Sequence, residues 1–192
     1  MVKSGIEDDL QKTLATIARM TAAGTPGNDV LTEVSRCLTA FVARHRTVFS
    51  FENFPLPSGK EDVLTSYALN ESGEYGPSLL VNVIRGGVDS VVHNHGTWAV
   101  IVGIAGAEHH RIYRRLDDAP GDHVATLELV REITISDGQS LILEENLFHS
   151  IHTDTNQTAL QLHLYGRLID TIHGRQIVDP RTGQIICLGG QG

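Results

Sequence analysis

Apolar residues near the amino terminus recur every three or four positions: Ile6, Leu10, Leu14 and Ile17, then Leu31, Val34, Leu38 and Phe41. That spacing predicts two amphipathic helices. Ser4 with Glu7 three residues on forms a capping-box pattern for the first helix. Gly24 and Pro26 end it, and Asn28 is placed to cap the second. A helical pair of this kind covers one flank of a sheet; a regulatory or dimerising role is the alternative. From Thr47 the period shortens to that of strands, with β-type runs at Val63 to Leu69, Leu79 to Ile84, Val91 to Ile104, Glu128 to Ile135, Ser140 to Leu143 and Ala159 to Tyr165. Turn residues separate them, among them Glu71-Ser-Gly, Gly86-Gly87, Ala119-Pro-Gly-Asp and Ser136-Asp-Gly. Many short strands in series predict a sandwich or barrel. The expected division is a helical segment over 1–46 packed on a barrel over 47–188, with a loose tail at 189–192.

Length and composition narrow the class. A chain of 192 residues, 41% hydrophobic, suits one domain with a sizeable core. The longest apolar run, Trp98 to Ala107, is too short to cross a bilayer, and the first residues carry no apolar signal core. The two cysteines, Cys37 and Cys187, lie far apart and match no metal-ligand spacing, which fits a reduced cytoplasm. A net charge of −8, with no stripe of Lys and Arg, argues against nucleic acid as a partner. Nothing in the pattern points to a membrane, and monomer and homodimer both stay open. Ten histidines are the unusual feature.

His93 and His95 are two apart, so on a strand both emerge from one face. Two adjacent imidazoles can offer a divalent metal two nitrogen ligands. In Ala159-Leu-Gln-Leu-His-Leu-Tyr165, leucines take one face and Gln161, His163 and Tyr165 the other. That pattern suits either an amphipathic surface strand or a strand whose polar face lines a functional interior. His149 lies shortly upstream. His109 and His110 read as part of a solvated polar strand with Arg111, Tyr113 and Arg114. His152 has the wrong parity to share a face with His149, and His45, His123 and His173 read as ordinary. Glu144 and Glu145 are placed at the mouth without a catalytic role.

Two spaced motifs connect these histidines. The first runs Gly87, His93, His95, Ala99, Gly106; the second runs Gly138, Glu144, Asn146, His149. They resemble the two motifs of the cupin superfamily, over roughly Thr47 to the carboxyl end. The resemblance implies a mainly β fold, a cupin double-stranded β-helix or jelly-roll barrel, with the helical hairpin preceding it. It also implies one metal ion on His93, His95 and His149. Asn146 stands in a glycine slot, where Asn tolerates the left-handed region better than most residues. Ala99 stands where many cupins carry a glutamate ligand. A neutral three-histidine set leaves the ion's charge uncompensated, which favours an anionic ligand.

This pattern, with the run from His93 to Glu108, resembles the thiol dioxygenases: cysteine dioxygenase and its bacterial 3-mercaptopropionate dioxygenase relatives. The resemblance implies Fe(2+) as cofactor and oxidation of a small thiol by O2 to its sulfinate. It implies that Tyr165 hydrogen-bonds near the substrate and that His163 orients it, while Gln161 replaces the family's serine. It implies a carboxylate-binding arginine after the tyrosine, with Arg175 the nearer candidate and Arg167 the second. Val100 takes the position of the cysteine that crosslinks to tyrosine in animal enzymes, so no thioether is expected. Leu69 falls near the arginine of that branch. The alternatives are another three-histidine cupin oxygenase, for example one cleaving a diketone carbon–carbon bond, and a non-catalytic cupin that binds a metal or small ligand.

Overall fold

The computed structural model describes residues 5–56, 59, 62–70, 76–117, 124–168, 171–172 and 175–188. Ser4, the Glu71-Ser-Gly and Ala119-Pro-Gly-Asp breaks, His123, His173 and the 189–192 tail lie outside them. Two helices come first, α1 (Glu7–Met20) and α2 (Asn28–Arg44). The strands follow as β1 (Leu64–Ala68), β2 (Ser78–Ile84), β3 (Val92–Asn94), β4 (Ala99–Ala105), β5 (Glu108–Arg115) and β6 (Leu127–Ile135). They continue as β7 (Ser140–Leu143), β8 (Phe148–His152), β9 (Ala159–Tyr165), β10 (Arg175–Val178) and β11 (Ile185–Leu188).

The helix starts differ from those the sequence predicts. Ile6 occupies the N-cap of α1 and Gly27 that of α2, and neither makes a side-chain capping bond. Asn28 is therefore the first residue inside its helix rather than its cap. Glu7, Asp8 and Asp9 in the first turn of α1 instead place negative charge against the positive end of the helix dipole.

All strand pairs are antiparallel, in two sheets ordered β1-β2-β9-β4-β7 and β11-β10-β3-β8-β5-β6. Strands β2 to β9 thus divide between the sheets in the orders 2-9-4-7 and 3-8-5-6, with only β5 and β6 consecutive in one sheet. That is the winding of a double-stranded β-helix, the cupin barrel the motifs implied. β1 extends the first sheet, and β10 and β11 extend the second.

The helical pair covers the outer face of the first sheet. Leu10, Ile17, Leu31, Val34, Leu38 and Phe41 share one core with Val100, Val102 and Ile104 of β4 and Leu160, Leu162 and Leu164 of β9. On the opposite parity, Ala99 and Ile101 join Ile112, Leu141, Leu143 and Tyr165 in a separate interior cluster. All seven residues of β9 are therefore buried, which removes the surface-strand reading of its polar face.

The run from Val91 to Ile104 is two strands rather than one. It breaks at Gly96, whose φ of 62° is the left-handed region that other residues rarely adopt. A Cβ there would also lie 2.7 Å from Ile172 Cγ2. The chain uses this break to cross from the second sheet to the first. Asn146 needs no left-handed tolerance, because no described non-glycine residue has a positive φ. No described helix is long and apolar enough to cross a membrane.

Candidate metal centre

Register brings the histidines together. His93 on β3 and His149 on β8 are direct cross-strand partners, so their rings rise side by side from one face. His95 follows just past the end of β3, where the chain turns towards the other sheet. The ring centroids lie 5.2 Å apart for His93 and His95, 4.5 Å for His93 and His149, and 4.8 Å for His95 and His149. One nitrogen from each falls within 4.8 Å of the others, a group that could hold a metal ion.

The donor set fits a cation. His93 Nδ1 donates to the Val91 carbonyl at 3.0 Å, which leaves its Nε2 with a free lone pair. His95 Nε2 and His149 Nε2 are 3.1 Å apart. Two nitrogens bound to one ion at about 2.1 Å, at right angles to each other, have about that spacing. Burial removes hydration from the charged form of His95 and His149 and, with the neighbouring imidazoles, holds both well below the ordinary histidine range. His93 is lowered too, by burial first and the Arg175 charge after it, against the opposing bond to Val91. Neutral imidazole is the form that ligates. Imidazole suits iron, zinc, copper and nickel alike, so the donor set alone leaves the metal open.

A cavity of about 670 Å³ opens onto the cluster, and His93, His95, Asn82, His163, Tyr165 and Arg175 line it. The remaining wall is largely apolar, from β1, β2 and the segment around Val88 to Val91. The Tyr165 ring sits 5.0 Å from that of His95. Its hydroxyl shares a 3.0 Å hydrogen bond with His163 Nδ1. Burial pushes the Tyr165 hydroxyl well above its ordinary pKa and pushes His163 down to about 4. Tyr165 thus stays a proton donor at neutral pH. Arg175, the first residue of β10, has a buried Nε without a protein partner.

Other predicted residues fall elsewhere. Arg167 lines a separate groove with Trp98 and Gly166, outside the cavity wall. Gln161 is fully buried on the inner face of β9, but neither amide atom has a hydrogen-bond partner. Four residue steps along the strand, about 13 Å, separate its Cα from that of Tyr165. It keeps the sequence position at which the resemblance implies a serine, but no hydrogen bond ties its side chain to His163 or Tyr165. Ala99, not Val100, is the register partner of Tyr165; Val100 faces the helices. Leu69 belongs to that same helix-side core. Glu144 and Glu145 line other grooves rather than the cavity mouth. His152 is exposed, with its ring 5.8 Å from that of His109.

The largest correction concerns β5. Glu108 and His110 are buried rather than solvated, at 0% and 1% exposure. They face inward with Ile112, while Arg111 faces out. His110 Nδ1 lies 3.1 Å from His149 Nδ1, and His110 Nε2 lies 3.3 Å from Glu108 Oε2. The apolar Ile112 at matching parity was the available signal; the surrounding charges on the other face hid it.

No protein-family model and no curated protein matches the sequence. Solved structures with a similar shape include the cupin domain of an XRE-family transcriptional regulator from Enterobacter cloacae, at 13% identity and a TM-score of 0.39, covering 54% of this chain and 96% of that one. The cupin domain of Schizosaccharomyces pombe Cnp3 has 8% identity and a TM-score of 0.43, covering 56% and 67%. KdgF from Halomonas sp. has 10% identity and a TM-score of 0.43, covering 59% and 89%. The strand order 2-9-4-7 and 3-8-5-6 is itself that of a cupin-type barrel fold.

Proposed function

We propose that this protein is a non-haem iron(II) thiol dioxygenase that converts a small carboxylate-bearing thiol, of the 3-mercaptopropionate or cysteine kind, to its sulfinate. One observation carries the reading: His93 and His95 of the three-histidine cluster line a single cavity with a buried tyrosine–histidine pair and an arginine whose Nε is unpartnered. The balanced change is R–S⁻ + O2 → R–SO2⁻, in which both oxygen atoms pass to sulfur. A reducing cytoplasm suits it, since free thiols persist there.

Iron(II), when held by His93, His95 and His149, supplies the charge that favours a thiolate and the redox chemistry that activates dioxygen. The remaining work belongs to the chain. Arg175 binds the remote carboxylate through a bidentate pair and fixes which end of the substrate reaches the histidines. Tyr165 keeps its proton and donates a hydrogen bond to the reacting end. His163, held neutral, fixes the direction of that hydroxyl. The apolar wall excludes water and strengthens each of these interactions.

The test is oxygen uptake by iron-loaded protein with 3-mercaptopropionate, cysteine and cysteamine in parallel. Sulfinate equal to the oxygen consumed is expected with at least one of the two carboxylate-bearing thiols. Silence with all three, despite bound iron, overturns the reading. The Arg175→Gln variant is expected to raise KM for the carboxylate thiols by about 10- to 100-fold, the loss of a charged hydrogen-bond pair. Turnover of cysteamine, which has no carboxylate, provides the control. An equal loss there removes Arg175 from carboxylate binding.

A further inference from the structure

Behind the cluster, on the side away from the cavity, lies a second row of polar groups. Glu108 is fully buried, and neither carboxylate oxygen accepts a hydrogen bond of good geometry. A buried carboxylate is costly unless a positive or proton-bearing group stands beside it. The group it faces is His110 Nε2, at 3.3 Å. His110 itself is buried, with its ring nearly parallel to that of His149 at 7° and the centroids 5.4 Å apart.

Proton placement along this row follows from two distances. The Nδ1 atoms of His110 and His149 are 3.1 Å apart, so one carries a proton and the other accepts it. His149 Nε2 points into the metal-ligand cluster, 3.1 Å from His95 Nε2. A ligating Nε2 has no proton, so the neutral His149 ring carries its proton on Nδ1 and donates to His110 Nδ1. His110 then carries its own proton on Nε2, towards Glu108. Each link polarises the next, from carboxylate to imidazole to imidazole to metal.

We propose that Glu108 and His110 are positioning residues of the metal centre. In this assignment Glu108 supplies, through His110, the negative charge that Ala99 does not supply as a direct ligand. The relay fixes the tautomer and tilt of His149 and makes its Nε2 a stronger donor. The inference rests on the three-histidine metal centre of the proposed function, and not on the identity of the substrate.

The test uses cobalt(II) affinity by competition titration of the full-length protein, together with the iron(III)/iron(II) midpoint potential. Thermal unfolding of the metal-free protein serves as the folding control. The isosteric Glu108→Gln is expected to weaken cobalt binding by about 10- to 100-fold. It is also expected to raise the potential, because removing a negative charge disfavours the ferric ion, and to leave the metal-free unfolding midpoint intact. A second variant, Glu108→Leu with His110→Phe, replaces the buried pair by apolar groups, a change that is often neutral for folding. It is expected to show the same loss of affinity. Unchanged affinity and potential in either variant overturn the proposal. So does a loss of affinity matched by a loss of metal-free stability, which marks a purely structural pair. Inactivity towards thiols leaves these readouts untouched, so failure of the substrate reading is told apart from failure of the relay.

Discussion

Replacing His149 with alanine is expected to abolish metal retention. His149 is the ring that ties the other two together, 4.5 Å from His93 and 4.8 Å from His95 between centroids. Its removal leaves two imidazoles from a short strand and the crossover beyond it, and the motif's fourth position is Ala99, which has no donor atom. It also strips His110 of its 3.1 Å partner. The protein would be loaded with iron(II) under anaerobic conditions, desalted and assayed for metal per chain. The wild type should retain a stoichiometric ion and His149→Ala none, while His152→Ala, altered at an exposed site on the same strand, should match the wild type. Stoichiometric iron in the folded His149→Ala protein would sink the ligand assignment.

Acid should destabilise the metal-free protein steeply, and the sign follows from burial. His163 titrates near 4 in the folded chain and near 6.5 when unfolded. Between those values the unfolded chain binds a proton that the folded chain refuses, so the unfolded state gains. Stability is intact above about pH 6.5 and is lost as pH falls towards 4. For His163 the full loss is about 3 kcal/mol, at about 1.4 kcal/mol per pH unit. His95 and His149 are shifted in the same direction and add to the slope. By pH 5, His163 alone costs about 2 kcal/mol, or roughly 4–8 °C of unfolding midpoint in a chain of this size. Thermal unfolding of metal-free protein at pH 7.5, 6 and 5 measures it. A midpoint that stays flat over that range means that these rings are not held neutral inside the fold.

Much of this architecture was legible because its signals are local. The helical spacing of Leu10, Leu14 and Ile17, and the strand parity of Gln161, His163 and Tyr165, each follow from one stretch of chain. The three histidines were found because two motifs lie at fixed offsets. What stayed hidden depends on neighbours distant in sequence. Glu108 and His110 sit among Arg111, Arg114 and Arg115, so the charge of the strand masked an inward face that only β8 and the barrel interior define. Gln161 shares its parity with Tyr165, but parity says nothing of height along the strand, and height separates it from the cavity. The sequence ranks Arg175 ahead of Arg167 as the carboxylate-binding candidate but gives neither a place in the barrel. Only the pairing of β10 with β3 brings Arg175 to the metal cluster. The break at Gly96 lies within an apolar run whose composition gives no sign that the chain changes sheets there.

β9 has a consequence for which sequence changes this protein can survive. Its leucines meet the helices on one side, and its polar trio faces the barrel on the other. Side chains alternate with a period of two, so inserting or deleting one residue within β9 would exchange the faces beyond that point. Leucines would then enter the chamber, and the histidine and tyrosine would press against the hairpin. Substitutions within either face can accumulate one at a time, but a change of length cannot. The strand should vary among descendants in residue identity and stay constant at seven residues.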